Sequence, residues 1–356
     1  MLKQVSFSLV ALVMCSTSNN AFGDFSSAGA TFLIINPGAR AVGMGEAFCG
    51  LADDALATYY NPAGLAFQRN LDLSWNWSQD FFSYVLHSYL GTYYNYTSAA
   101  IPLNDQITVA PALISLTDGE IGKQRSYHLA VGFYFGFPLS DILGVGVGVK
   151  YIHSHFLSYS MRWPPEWRTA NAVATDIGGL IRVPLLRKFG QVGFGIALQN
   201  IGPRVHYLEI DESDPLPTAL RIGFSYVLKS QDILTGVVPE KLNFFPKWFS
   251  EHFFKESRIC LVADLCGPIV GSPSFIDIFR NSWQSIGIEI APLALFVIRV
   301  GYIYDKKVWR TGWTWGLGGS LKSFRFNVAN DVSSYEFPMN NWRFEIGVND
   351  APSWLR

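Results

Sequence analysis

The chain has 356 residues, a formal net charge of −1, and only 15% Asp, Glu, Lys and Arg, against roughly 25% charged residues in ordinary soluble domains. Near-neutrality gives no basic surface of the kind nucleic acid binding requires, so no nucleic-acid partner is expected. Aromatics reach 15%, with 11 Trp and 32 Gly, a composition suited to a protein that shows much of its surface to lipid.

The first residues read as an export signal. Lys3 precedes an apolar stretch from Val5 to Cys15, too short to span a bilayer as a helix, and Ala21-Phe22-Gly23 puts small residues where a signal peptidase cuts. Residues 1–23 are therefore expected to be removed. A lipidated Cys15 is disfavoured because Met14, not a small residue, precedes it. Cys49, Cys260 and Cys266 remain, an odd count that cannot complete a disulfide framework. Half-buried thiols are expected, with a Cys260–Cys266 bridge as the alternative.

Residues 24–70 do not alternate. They contain the run Pro37-Gly38-Ala39-Arg40-Ala41-Val42-Gly43-Met44-Gly45-Glu46-Ala47-Phe48. Further on come Ala52-Asp53-Asp54-Ala55 and Asn61-Pro62-Ala63-Gly64-Leu65. Small residues beside glycines suit a compact hatch folded inside a barrel. Within it, Asp53 is a candidate N-cap, Asn61-Pro62 starts a turn, and Gly64 permits a positive φ.

Beyond residue 70 the dominant period is two. In 144–151, Val145, Val147, Val149 and Tyr151 oppose Gly144, Gly146, Gly148 and Lys150. Later strands repeat the pattern, with Leu220, Ile222 and Phe224 against Arg221 and Gly223, and Phe344, Ile346 and Val348 against Glu345 and Gly347. A sandwich would put Thr, Lys and Glu on its second face. Here that face is mainly Gly, Ala and Ser with scattered charges, which suits a barrel interior. The stretch 286–304 is apolar enough to suggest a membrane helix, but Glu289, Pro292 and Arg299 argue against one, since mid-helix charges cost roughly 2.5–3.5 kcal/mol each. It reads better as a hairpin turning at Ala291-Pro292-Leu293.

The predicted strands are 71–82, 89–101, 107–116, 127–139, 145–158, 172–183, 192–201, 218–228, 257–265, 283–291, 295–304, 312–320, 324–333 and 342–348. The fold class is thus all-β, a transmembrane antiparallel barrel of about fourteen strands over 71–348, with the hatch at 24–70. Short connections at 102–106, 140–144, 292–294 and 321–323 fall on one side, as periplasmic turns should. Residues 229–256 break that rule. Their aromatics recur at helical spacing, so an amphipathic interfacial helix is expected there. Residues 349–356 form a C-terminal extension.

No nucleophile–base pair or carboxylate pair suggests catalysis, and no cofactor or metal is expected. Gly144 to Lys150 is no phosphate loop, because its glycines sit at period two inside a strand. His153 and His155 share a face and read as rim-facing aromatics, with weak metal binding as the alternative. The lumen-facing charges Lys150, Arg221, Glu289, Arg299, Arg325 and Glu345 either pair with one another and the hatch, as Asp53 or Asp54 with Arg221, or hold the head group of an amphiphile. Trp163, Trp167, Trp309, Trp313 and Trp315 suit an interfacial girdle, with Trp163 to Trp167 on an expected outer loop.

The Gly-Met-Gly-Glu-Ala-Phe stretch at 43–48 and Asn-Pro-Ala-Gly-Leu at 61–65 resemble the PorV/PorQ family of outer-membrane proteins, itself similar to the FadL long-chain fatty-acid transporters. Asn200-Ile201-Gly202-Pro203, the run from Pro215 to Gly223, and Arg299-Val300-Gly301-Tyr302 extend the resemblance along the chain. It implies a fourteen-stranded barrel with an N-terminal hatch in the bacterial outer membrane. PorV acts in type IX secretion, receiving cargo that bears a C-terminal signal and passing it to attachment machinery. Secretion-machinery or cargo proteins are then the expected partners, besides outer-membrane lipid. FadL-like transport of a fatty acid or detergent-like amphiphile through the lumen is the alternative.

Overall fold

The computed structural model describes residues 25, 28–79, 93–121, 124–158, 166–185, 189–207, 213–229, 257–270, 274–293, 295–305, 310–321, 323–332 and 342–349. The expected leader at 1–23, and all but the first residue of the expected helix at 229–256 and of the expected extension at 349–356, lie outside them; Lys229 and Asn349 instead end strands.

Sixteen strands form one antiparallel sheet. In chain order they begin β1 (Asp72–Gln79), β2 (Tyr93–Asn104), β3 (Ile107–Ile121), β4 (Gln124–Pro138), β5 (Leu143–Ser158), β6 (Glu166–Pro184) and β7 (Gln191–Ile201). β8 (Val205–Tyr207) and β9 (Ser213–Asp214) make a short ribbon hung on the start of β6. The series continues with β10 (Ala219–Lys229), β11 (Arg258–Pro268), β12 (Trp283–Leu293), β13 (Phe296–Asp305), β14 (Arg310–Leu321), β15 (Phe324–Asn330) and β16 (Trp342–Asn349). Each strand apart from the ribbon pairs with its neighbour in the chain, β7 reaches β10 across the ribbon, and β1 pairs with β16. The result is a closed ring of fourteen strands, matching the fourteen predicted.

Closure follows from the residues. Trp75, Phe133, Phe194, Ile286 and Phe326 point outward and are exposed, while their strand neighbours Ser74, Gly132, Gly193, Gly287 and Asn327 point in. A soluble protein does not leave an apolar belt of this extent in water. In lipid it is satisfied, provided that every backbone group pairs within the sheet, and only a closed barrel achieves that with strands. Among the described residues no helix is long and apolar enough to cross a membrane.

The two ends of the barrel differ. At one, strands are joined by 105–106, 139–142, 185–190, 294–295 and 322–323, with 230–257 the long exception; at the other, by 80–92, 159–165, 202–218 and 269–282, with 122–123 and 306–309 the short ones. We call these the turn end and the loop end. Several boundaries differ from expectation. β6 begins at Glu166, so Trp167 belongs to a strand paired with Leu157 and not to a loop. The hairpin after Ile290 turns later than predicted, because β12 continues through an irregularity to Leu293. Pro292 offers no N–H there, and the ladder skips it. The segment 269–282 carries a short helix, Phe275–Arg280, with a Ser274–Asp277 capping box.

A barrel of this kind should be extracted only with detergent. It should migrate differently in SDS gels before and after boiling, and recovery of a soluble monomer without detergent would overturn the architecture.

Candidate functional site: the packed lumen

The N-terminal segment crosses the lumen from end to end. At the loop end, the Phe25 ring lies 5.8 Å from that of Trp283, and the Gly29 N–H donates to the Pro215 carbonyl at 2.9 Å. At the turn end, the 3₁₀ helix Pro62–Phe67 packs on β4, β5 and β6 and the chain then enters β1. Between these points lie short helices at Ala39–Val42 and Ala57–Tyr60. Nearly every residue from Asn36 to Ala66 is buried.

Glycines on the wall let this segment approach backbone to backbone. A Cβ on Gly146 would strike the backbone of Pro62, one on Gly193 the Gly50 carbonyl, one on Gly287 the Met44 carbonyl, and one on Gly301 the Gly45 amide. Period-two glycines facing the lumen are thus a close-packing surface. The segment reciprocates. Gly45 takes φ +70° and presses on the carbonyls of Ile286 and Tyr302 at 2.8 and 3.0 Å, measured from where its Cβ would stand, while its N–H reaches Thr314 Oγ1 at 3.0 Å. Gly43 lies against Arg299 and Gly316.

Charge fixes the other wall. Arg40 donates to Asp53 at 2.6 Å, Asp54 at 2.7 Å and Glu289 at 3.0 Å. Glu289, wholly buried, also accepts from Arg299 at 2.6 Å and Arg258 at 2.8 Å. The Arg40 backbone N–H donates to Glu345 at 3.0 Å. Nearby, Arg310 grips Glu46 with two N–H groups and reaches Asp331 at 2.6 Å. Arg325 pairs with Asp72 at 3.0 Å and Glu345 at 3.5 Å. Lys150 pairs with Asp176 at 2.7 Å within the wall itself.

Several expectations change. Asp53 meets Arg40 and Arg258 and Asp54 meets Arg40, neither meeting Arg221, because the Ala39–Val42 helix interposes its own cation. Asp53 caps no helix. Asp54 instead accepts the Leu56 N–H at 2.9 Å, while Asp53 is taken up by the arginines. Gly64 has no positive φ; it is needed because the Ala52 carbonyl abuts it. Asn61 behaves as a turn residue and more. Its Oδ1 accepts from Ala63 N–H at 3.1 Å, with Pro62 in the first turn, and its Nδ2 ties Cys49 to Gly179 through both carbonyls at 3.1 Å. Cys49, Cys260 and Cys266 are free and buried, not bridged.

His153 and His155 face outward with Tyr127, and the described residues contain no cluster able to hold a metal. Trp313 and Trp315 are exposed on the outer wall; Trp163 and Trp309 lie outside the described residues. Sequence reading missed Arg40, Arg182, Arg258 and Arg310. Arg182 donates to the carbonyls of Leu51 and Ala52 at 2.6 and 3.2 Å. Its inward direction was not signalled, since the neighbouring alternation there is apolar on both faces. Arg40, placed among alanines and a valine in a segment too apolar for an exposed leader, was the legible clue to a buried cation.

A family model described as Type IX secretion system protein PorV matches residues 19–243, more than half of the chain. The chain belongs to the PorV family. No curated protein matches it. Among solved structures it is similar to the CymD monoaromatic hydrocarbon channel, at 11% identity over 89% of this chain and 98% of that one, with a TM-score of 0.53. The toluene transporter TodX of Pseudomonas putida aligns at 14% identity, over 88% of this chain and 96% of that one, with a TM-score of 0.46. A Pseudomonas aeruginosa FadL homologue aligns at 10% identity, over 87% and 97%, with a TM-score of 0.43. At such identities the CymD likeness speaks for the fold alone. Family and fold together assign the chain to the outer membrane.

Two measurements test the packing. Gly146→Ala and Gly301→Ala should each destabilise the barrel by about 1–3 kcal/mol through overpacking. Gly179→Ala should be nearly neutral, because only Ile196 at 3.6 Å faces the added methyl; equal midpoints of heat-induced unfolding for all three would refute the backbone seal. Glu289→Gln removes the charge shared by three arginines and should cost about 3–5 kcal/mol, lowering the same midpoint.

Proposed function

We propose that this chain is a partner-binding component of type IX secretion, which receives secreted protein cargo at the outer membrane and hands it on without passing it through its own lumen. PorV family membership supports the secretion role. The observation that supports the second half is the packed lumen, where backbone of the N-terminal segment abuts glycines on β5, β7, β12 and β13; on this reading the segment is a hatch. A protein cargo has no route past such a hatch. Its interaction surface is then the loop end, which bacterial barrels turn to the exterior, and the chain works by binding and not by catalysis.

This reading separates from FadL-like transport of hydrophobic molecules by what travels with the protein. Purification from native outer membranes in mild detergent should co-isolate another secretion-machinery barrel or proteins carrying the C-terminal export signal, and deletion should leave such cargo in the periplasm. Normal surface display of cargo in the deletion strain would sink the proposal.

A further inference from the structure

Along β4 and β5 the outer wall is apolar for most of its height. Val145, Val147 and Val149 point outward on β5, with Phe133 and Phe135 beside them on β4. Toward the loop end the chemistry changes on three neighbouring strands at once. His153 and His155 follow on β5, Tyr127 pairs with His155 from β4, and Asn171 and Thr169 pair with the two histidines from β6. His153 stands ten residues beyond Leu143, the first of β5, and a tilted strand crosses the hydrocarbon core in about 9–11 residues. The group therefore lies where acyl chains end and head groups begin.

These side chains form an ordered array. Asn171 Oδ1 accepts from Tyr151 Oη at 2.6 Å and from His153 Nδ1 at 2.8 Å. An acceptor at that position puts the imidazole proton on Nδ1 and leaves the Nε2 lone pair beside the Tyr127 hydroxyl, at 3.4 Å. His155 Nδ1 meets Thr169 Oγ1 at 3.1 Å, and the Tyr127 ring lies 5.6 Å from both imidazole rings. Tyr127 and Tyr151 are 44% and 49% exposed, so both rings are presented to whatever fills that layer.

None of Tyr127, Tyr151, His153, His155, Thr169 and Asn171 carries a fixed charge, unlike the Arg and Lys sets that hold phosphate. Rings beside an amide, hydroxyls and imidazoles suit a saccharide. The C–H face of a hexose stacks on an aromatic ring, and its hydroxyls both donate and accept. An interfacial girdle accounts for the tyrosines, but not for two imidazoles and an amide hydrogen-bonded among them. The apolar wall directly beneath adds a second requirement, that the sugar be attached to acyl chains.

We propose that the outward face of β4–β6 at the loop end binds the saccharide head of an outer-leaflet glycolipid, whose chains lie along Val149 and Phe133. No covalent step is involved. The site is separate from the lumen, and a partner-capture result of either sign leaves it standing.

The test is native mass spectrometry of the full chain released from a non-ionic detergent. The probes, at equal concentration, are deep-rough lipopolysaccharide, the same lipid stripped of its phosphates, and phosphatidylglycerol. Both glycolipids should be retained equally, and phosphatidylglycerol about tenfold less. A His153→Leu/Asn171→Leu variant, which extends the apolar wall, should retain about tenfold less glycolipid, whereas Gln284→Leu, at an exposed position on β12, should match wild type. Should the double variant lack a heat-modifiable folded band, a diazirine-bearing alkyl glucoside crosslinked to the wild-type protein decides. Adducts on outward residues of β4–β6 support the proposal, and adducts elsewhere overturn it. No retention of glycolipid, loss of retention on removing the phosphates, or phosphatidylglycerol held as well as glycolipid would each overturn it. So would a folded double variant that binds normally, or an equal loss in Gln284→Leu.

Discussion

The N-terminal segment must fit inside a ring of fourteen strands whose own side chains already occupy the lumen. Space is the governing constraint. A Cβ at Gly146, Gly195, Gly223 or Gly301 would overlap atoms of residues 45–62, so the wall offers bare backbone where the segment passes. The same constraint explains why the segment is built of Gly, Ala and short helical turns, with long side chains only where a matching site exists in the wall.

Packing backbone against backbone leaves little room for water, which makes charge the second concern. Ions placed in such a lumen are stable only when paired and hydrogen-bonded. The cluster around Glu289 shows how the chain meets this: one carboxylate shared by Arg40 from the segment and Arg258 and Arg299 from the wall, with Asp53 and Asp54 balancing Arg40. Because Arg40 belongs to the segment and Glu289 to β12, the network is also a tether. The glycine surface sets how closely the segment can lie, and the ion pairs set where along the wall it stops.

The outer surface is governed by the opposite requirement. Among the described residues it is mainly an apolar belt set by the alternate residues of each strand, with polar contacts such as Tyr151 on Asn171 at 2.6 Å. On the proposed function, these two faces keep the body of the barrel in the membrane and leave recognition to the ends of the strands. The loop end carries the ribbon β8–β9, the helix Phe275–Arg280 and the first residues of the segment, all of them features that the barrel itself does not need.

The sequence by itself determined the barrel. Alternation has a period of two, each strand is long enough to show it several times, and the lipid and lumen faces differ so sharply in chemistry that all fourteen strands and the inward direction of Lys150, Arg221, Glu289, Arg299, Arg325 and Glu345 were legible. The motif around Asn61-Pro62 likewise announced its turn. Only the tertiary structure decided which charges meet. Arg40 and Glu289 are separated by 249 positions, and nothing local to either encodes the partner. The pairing depends on how far a short helix advances along a curved wall, which is settled by close contact at particular glycines. For the same reason Arg221 is one inward arginine among several in the sequence, and only the tertiary structure sets its guanidinium among Tyr60, Trp283 and Tyr59.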